Sequence, residues 1–486
     1  MWPDDDVVYH VYPLGACGAP ARNDFTSAPV PRLDAVTERL DYLHGLGVTA
    51  LQLGPVFEST AHGYDTVDYF AIDRRLGDLD TMRWLTDELA RRDMRLILDA
   101  VFNHVGRQFW AFQDVVAHGQ DSAYRDWFYL DFARTSEQGD PFAYEGWAGN
   151  LDLVKLNTDN PEVREHLFAA VRMWHKEFGI AGLRLDAADV LSEGFLAALA
   201  SQAHGLRPDM WLVGEMVSGD YRRIAGPGML DGTTNYEGYQ SLWSAIANEN
   251  LFEIAFALNR MFGPDGIYRE LTMSNFADNH DVDRVASSLG DARKLYPLYG
   301  VLFAMPGVPS VYYGSEWGAR GTRTPGDDRA LRPEWWTIGE AEPDLPAAIR
   351  RFAAVRAALP ALRRGDYRQV FVASEQMSFA RRWDGAEVVV AVNTSGNWAQ
   401  VPVVGIGDGR GGGHGSGGAG GGNGGGGGNG GGGGRPGGES GSGGGRGVGR
   451  WWDQLAGEMV NATPGKNGAE VSVPPMWLRV LVRDPE

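Results

Sequence analysis

The chain has 486 residues, 43% of them hydrophobic and 11% aromatic, which is enough for two or three domains, each with a core of its own. Its formal net charge of −19, from 63 acidic against 44 basic residues, argues against nucleic acid or an anionic membrane surface as partner, since both require a basic footprint. The single cysteine, Cys17, excludes an intrachain disulfide, and the acidic start and the lack of any apolar run of ~20 residues make a soluble, cytoplasmic protein the expectation.

Short apolar runs rich in Val, Ile, Leu and Tyr occupy residues 7–13, 48–56, 95–103, 182–187, 211–216, 272–281 and 310–316, with a weaker one at 231–236. Helical patterns at 33–46, 81–92, 162–178, 194–203 and 292–304 alternate with them. Such alternation predicts a parallel sheet with helices outside, either closed into a barrel or open and doubly wound. The third and fourth runs lie about 80 residues apart, more than one crossover helix needs. The intervening segment 104–159 is rich in aromatics (Phe109, Trp110, Phe112, Trp127, Phe128, Tyr129, Trp147) and reads as an inserted subdomain. Beyond residue 365 the period changes to 2, and 369–373, 377–382, 388–393 and 480–482 predict a C-terminal antiparallel β domain. The glycine-rich tract 405–450 interrupts it and is expected to be disordered. The predicted division is therefore barrel 1–103, insert 104–159, barrel 160–364 and β domain 365–486.

Four runs end in acidic or polar groups: Asp99-Ala-Val-Phe-Asn-His104, Arg184-Leu-Asp186, Gly214-Glu215 and Asp278-Asn-His-Asp281. An apolar strand ending in a charge is costly unless the charge faces a polar cavity. When several parallel strands do so at one edge, they build one site at the C-terminal face of a (β/α)8 TIM barrel, and this convergence favours the barrel over the open sheet. Asp186, Glu215 and Asp281 then meet Arg184, His104 and His280. Retaining glycoside hydrolysis requires two carboxyls about 5 Å apart, one ionised and one protonated. Arg184 lies two residues before Asp186, on the same side of a strand, and is expected to hold it ionised. Glu215, flanked by further carboxylates, suits the acid role. Taken singly, each residue has a plainer explanation: a lone Asp at a strand end caps a helix or turn, and a lone His is structural. The His and carboxylate groups also resemble a metal set, but no two histidines stand at a metal-binding spacing, and Arg184 would repel a cation.

In order and spacing these segments resemble the four signature regions of the α-amylase superfamily, glycoside hydrolase family 13, and His62-Gly-Tyr64-Asp65 resembles its second-loop motif. The resemblance implies Asp186 as nucleophile, Glu215 as general acid/base and Asp281 as transition-state stabiliser. It also implies Tyr64, Asp65, His104, Arg184 and His280 as sugar-binding residues, the insert as the family's B domain, and an α-glucan oligosaccharide as substrate. Leu153-Val-Lys155-Leu-Asn157, followed by Asn160-Pro161, resembles the fifth region of neopullulanases and cyclomaltodextrinases. Lys155 would stand beside the family's usual calcium site, so no metal or cofactor is expected to be required. The N-terminal β domain through which that group dimerises is not expected here, and oligomeric state stays open. Hydrolysis of α-1,4-linked maltodextrins is the first expectation. Transglycosylation or sugar isomerisation at the same site is the alternative, since a sugar can intercept the glycosyl-enzyme in place of water. A non-catalytic sugar-binding homologue is disfavoured because all three carboxyls are present.

Overall fold

The structure, a computed structural model, describes residues 2–404 and 449–483. Eight parallel strands form the centre: β1 (Val8–Val11), β2 (Ala50–Leu53), β3 (Arg95–Ala100), β4 (Gly182–Leu185), β5 (Trp211–Gly214), β6 (Gly232–Thr233), β7 (Ser274–Phe276) and β8 (Val308–Tyr312). Neighbours pair in chain order and β1 also pairs β8. A lone parallel bridge, Thr234 to Ser274, joins β6 to β7 and closes the barrel. At this seam Gly232 lies so close to the Thr272 carbonyl that any Cβ would overlap it, which is why the shortest strand begins with glycine.

The period of 2 along each strand decides what fills the barrel. Val8, Ala50, Ile97, Trp211, Val213 and Val308 form an apolar floor with Trp2 packed beneath it. Two residues further along, three of these strands carry His10, Gln52 and Asp99, with Arg184 beside Asp99 on β4, all buried. The interior therefore turns from hydrocarbon to charge on approaching the C-terminal mouth, where the site lies.

Helices cover the outside. Pro161–Phe178 illustrates the rule: Asn160 caps it by accepting from the Glu162 N–H, Pro161 opens it, and Gly179 at φ +60° ends it. Its Val163, Leu167, Ala170, Val171, Trp174 and Phe178 form one buried stripe against the barrel. The predicted helix at 33–46 is two, Asp34–Thr37 and Leu40–Leu46. Two helices not anticipated, Tyr236–Ala247 and Phe252–Phe262, follow β6; the run expected at 231–236 shortens to two residues because Asn235 already caps the first of them.

Within 104–159, strand His104–Gly106 pairs antiparallel with Asn150–Lys155, which places Lys155 opposite His104. Beyond the barrel, a six-stranded antiparallel sheet and a three-stranded one enclose a separate apolar core. Apart from Gly449 and Arg450, the glycine-rich tract lies outside the described residues.

Candidate active site

The ends of β3, β4 and β5 deliver Asp99, Asp186 and Glu215 to one guanidinium. Arg184 Nη1 donates to Asp186 Oδ1 at 2.9 Å and to Asp99 Oδ2 at 3.0 Å, while Nη2 lies 2.5 Å from Glu215 Oε1. Because Asp186 and Glu215 touch the two ends of one rigid fork, their nearest oxygens are at most about 8 Å apart. The backbone turns sharply between them: Ala187 sits at φ +46°, and its N–H donates to Glu215 Oε2 at 3.2 Å. A non-glycine residue in this region stores about 1 kcal/mol of strain.

Burial dominates the electrostatics. It pushes the Asp186 carboxyl well above the usual carboxylate range; Arg184 opposes this, and Glu215 and Asp99 reinforce it. Asp99, deeper and wholly enclosed, is pushed up to about 6 by burial, again against Arg184. Arg184 thus does not serve Asp186 alone, as the sequence suggested. It is shared among three carboxyls, and at Asp186 and Asp99 burial outweighs it, against the expectation that Arg184 holds Asp186 ionised.

Histidines and aromatic rings form the remaining wall. Tyr64 donates to Asp99 Oδ2 at 3.0 Å, and its hydroxyl lies 2.5 Å from His280 Nε2. The same nitrogen is 3.1 Å from Asp281 Oδ2. The His280 ring is nearly parallel to both Tyr64 and Tyr12, with centroids 5.4 and 6.0 Å away. Burial holds the His280 imidazole well below its ordinary pKa, helped by Arg332 and Arg184, and it lowers His104 to about 4, so both rings are neutral at pH 7. His104 Nε2 is 4.0 Å from Asp186 Oδ2 and has no hydrogen-bond partner among the described residues, which leaves it available to a ligand hydroxyl. Asp65 is different: its carboxylate accepts the N–H groups of His62 and Gly63 and shapes the loop that presents Tyr64.

Three participants escaped the sequence reading. Arg332 Nη2 lies 3.1 Å from Asp281 Oδ1, and its guanidinium covers Tyr12. The Tyr236 hydroxyl donates to Glu215 Oε1 at 3.2 Å and accepts from Asn279 Nδ2. Tyr12 follows directly on β1, yet no charge marked its run. Each sits in ordinary loop or helix-start sequence, and only the fold brings it to the cluster.

The arrangement has the parts for acyl-type or glycosyl transfer to a carboxylate: two carboxyls on one cation, a third held by Arg332, neutral imidazoles, and aromatic rings for a flat ligand face. Among the described residues, no group of three or more His, Cys, Asp or Glu is arranged to hold a metal ion. Lys155 Nζ lies 3.3 Å from Glu145 Oε2 and over the Tyr129 ring at 5.1 Å.

A family model for the α-amylase catalytic domain matches residues 23–351. Neopullulanase 2 of Thermoactinomyces vulgaris is 35% identical over 423 residues, covering 81% of this chain and 70% of its own. A cyclomaltodextrinase of a Bacillus species is 31% identical over 411 residues, covering 81% and 73%. Among solved structures, the ligand-free cyclic α-maltosyl-(1→6)-maltose hydrolase of Arthrobacter globiformis superposes with a TM-score of 0.73 at 33% identity, covering 82% of this chain and 93% of that one.

Proposed function

The chain belongs to the α-amylase family of glycoside hydrolases, and from that premise we propose that it is a retaining α-glucosidic hydrolase of short or cyclic α-1,4-linked maltodextrins. The observation that carries the reading is the sharing of Arg184 by Asp186 and Glu215. Two carboxyls bound to one cation place the attacking and the proton-donating partner that double displacement needs within reach of one glycosidic bond. An Asp186 oxygen attacks the anomeric carbon as its bond to the glycosidic oxygen breaks, and Glu215 gives that oxygen its proton. Glu215, now a carboxylate, takes a proton from water; the resulting hydroxide attacks the anomeric carbon and frees Asp186. Asp281, oriented by Arg332 and the Asp281 N–H contact to Asn279, holds sugar hydroxyls while the ring carries positive charge. His104 and His280, neutral, hydrogen-bond the same sugar, and Tyr64 stacks on it.

The relatives' names support the substrate class, since they include a neopullulanase, a cyclomaltodextrinase and a cyclic α-maltosyl-(1→6)-maltose hydrolase. By resemblance Lys155 stands beside the family's calcium position, where its ammonium group, 3.3 Å from Glu145 Oε2, would disfavour calcium. We propose turnover without it. Incubating the enzyme with maltotriose, pullulan and β-cyclodextrin tests the reading. Shorter sugars from at least one of them, absent with Glu215→Gln, support it; no cleavage of any contradicts it. Products longer than maltotriose would redirect the reading to glycosyl transfer.

A further inference from the structure

A second pocket lies at the C-terminal end of the barrel, outside the cluster around Arg184. It has a volume of about 220 Å³ and is lined by Arg39, Tyr42, Trp317, Trp335, Ile338 and Glu340. Arg39 and Tyr42 come from the start of helix Leu40–Leu46, the others from the long segment after β8. That same segment sends Arg332 to Asp281, so one loop serves both places from opposite sides.

The lining is specific in its chemistry. The Tyr42 and Trp317 rings are half-buried and within 14° of parallel, with centroids 6.0 Å apart. Trp335 beneath them is held rigid, stacked on Tyr9 and covered by the Arg39 guanidinium at 4.5 Å. Arg39 donates from Nη1 to the Ala35 carbonyl at 2.8 Å and keeps its other nitrogens for a ligand; neither it nor the exposed Glu340 forms an ion pair among the described residues. A fork of donors and a carboxylate acceptor therefore flank flat apolar rings, with no net charge between them. An ionic ligand would meet the wrong charge on one side, and a purely apolar one would leave both charges unpaired. A pyranose suits this lining, with a C–H face for the exposed part of Trp317, above the closed Trp335, and hydroxyls for Arg39 and Glu340. The volume lies below that of drug-sized sites, which fits one ring rather than an oligosaccharide.

We propose that this pocket is a second glycan-binding site, which takes one glucose unit of an α-glucan chain away from the reacting bond. It rests on the α-glucan reading above and adds an anchor for longer or polymeric substrate. The test uses the full chain in an Asp186→Asn background, run in native gels that contain soluble starch. Trp317→Ala is expected to weaken starch retardation by about tenfold and the surface change Glu340→Ala by about threefold. Trp317→Phe, which keeps a ring, restores most of it. In the otherwise unaltered enzyme the same changes leave kcat/KM on maltotriose within about twofold. Retardation unchanged by both Trp317→Ala and Glu340→Ala overturns the proposal, as does a parallel fall in maltotriose turnover. An enzyme that cleaves maltotriose but shows no retardation by starch refutes this inference alone; one that cleaves no glucan refutes the functional reading beneath it.

Discussion

Arg184 is the residue on which the charges of the site balance, because a single buried guanidinium faces Asp99, Asp186 and Glu215. Asp186→Asn and Glu215→Gln are each expected to lower kcat by at least about a thousandfold while the unfolding transition stays within about 1 kcal/mol, as read by urea titration. Tyr236→Phe removes only the hydroxyl that joins Glu215 to Asn279; a loss of about tenfold in kcat with KM nearly unchanged is expected on maltotriose. Glu316 tests the electrostatics outside the site. Burial pushes its carboxyl up to about 7, with Tyr9 donating to it at 2.7 Å. Since the folded-state pKa is the higher one, the stability linked to the bound proton is present below the ordinary carboxyl pKa and lost as pH rises through about 7. Wild-type Tm should fall between pH 5 and 8, and Glu316→Gln, which still accepts from Tyr9, should remove up to about 3 kcal/mol of that loss. A pH dependence identical in the two proteins contradicts the assignment. Asp186, Glu215, Asp281, Arg184 and the two histidines were legible because apolar runs rarely end in such groups without a reason. Tyr12, Arg332 and Tyr236 were not, since an aromatic or arginine in a loop carries no local mark of the surface it will face.

At the level of elements, the outer helices are held by interior aromatic contacts more than by surface ion pairs. Trp174 is fully buried, stacks on Phe57 with centroids 4.3 Å apart, and donates its indole N–H to the Tyr69 carbonyl. Trp174→Ala is expected to cost about 3–5 kcal/mol in urea or thermal unfolding. By contrast, the pair of Arg83 and Asp80 is solvent-exposed and screened, so Asp80→Ala should be close to silent in the same unfolding measurement. The long helix Pro161–Phe178 was readable almost to the residue because its caps and its stripe agree. Strands were predicted too long at their C-terminal ends, where residues such as Asn103, Met216 and Asp281 lie on loops that lead into the site. The helices Tyr236–Ala247 and Phe252–Phe262 went unread; seven and six of their residues, respectively, are buried, and Gly238, Ser241, Ser244 and Ala245 blur the 3.6-residue period of the first.

For the whole molecule, the barrel, the insert on its third loop and the C-terminal β domain form the frame that brings three strand ends to one mouth. The barrel could be told from an open sheet only through that convergence, and the β6–β7 seam, closed by one bridge, had no periodic signal at all. The insert joins the site from one side: Lys155 pairs across from His104, and Trp147 approaches the His104 ring at 5.6 Å. If turnover needs no calcium, as proposed from Lys155, activity on maltodextrin should be unchanged after exhaustive chelation and should not rise on adding calcium; a loss of more than about tenfold contradicts that reading. In the proposed reaction Asp186 attacks the anomeric carbon and Glu215 is the proton donor. Proton NMR of the first sugar released from maltotriose, recorded before mutarotation, tests it most directly. Double displacement predicts the α-anomer as the initial product, and an initial β-anomer would contradict it.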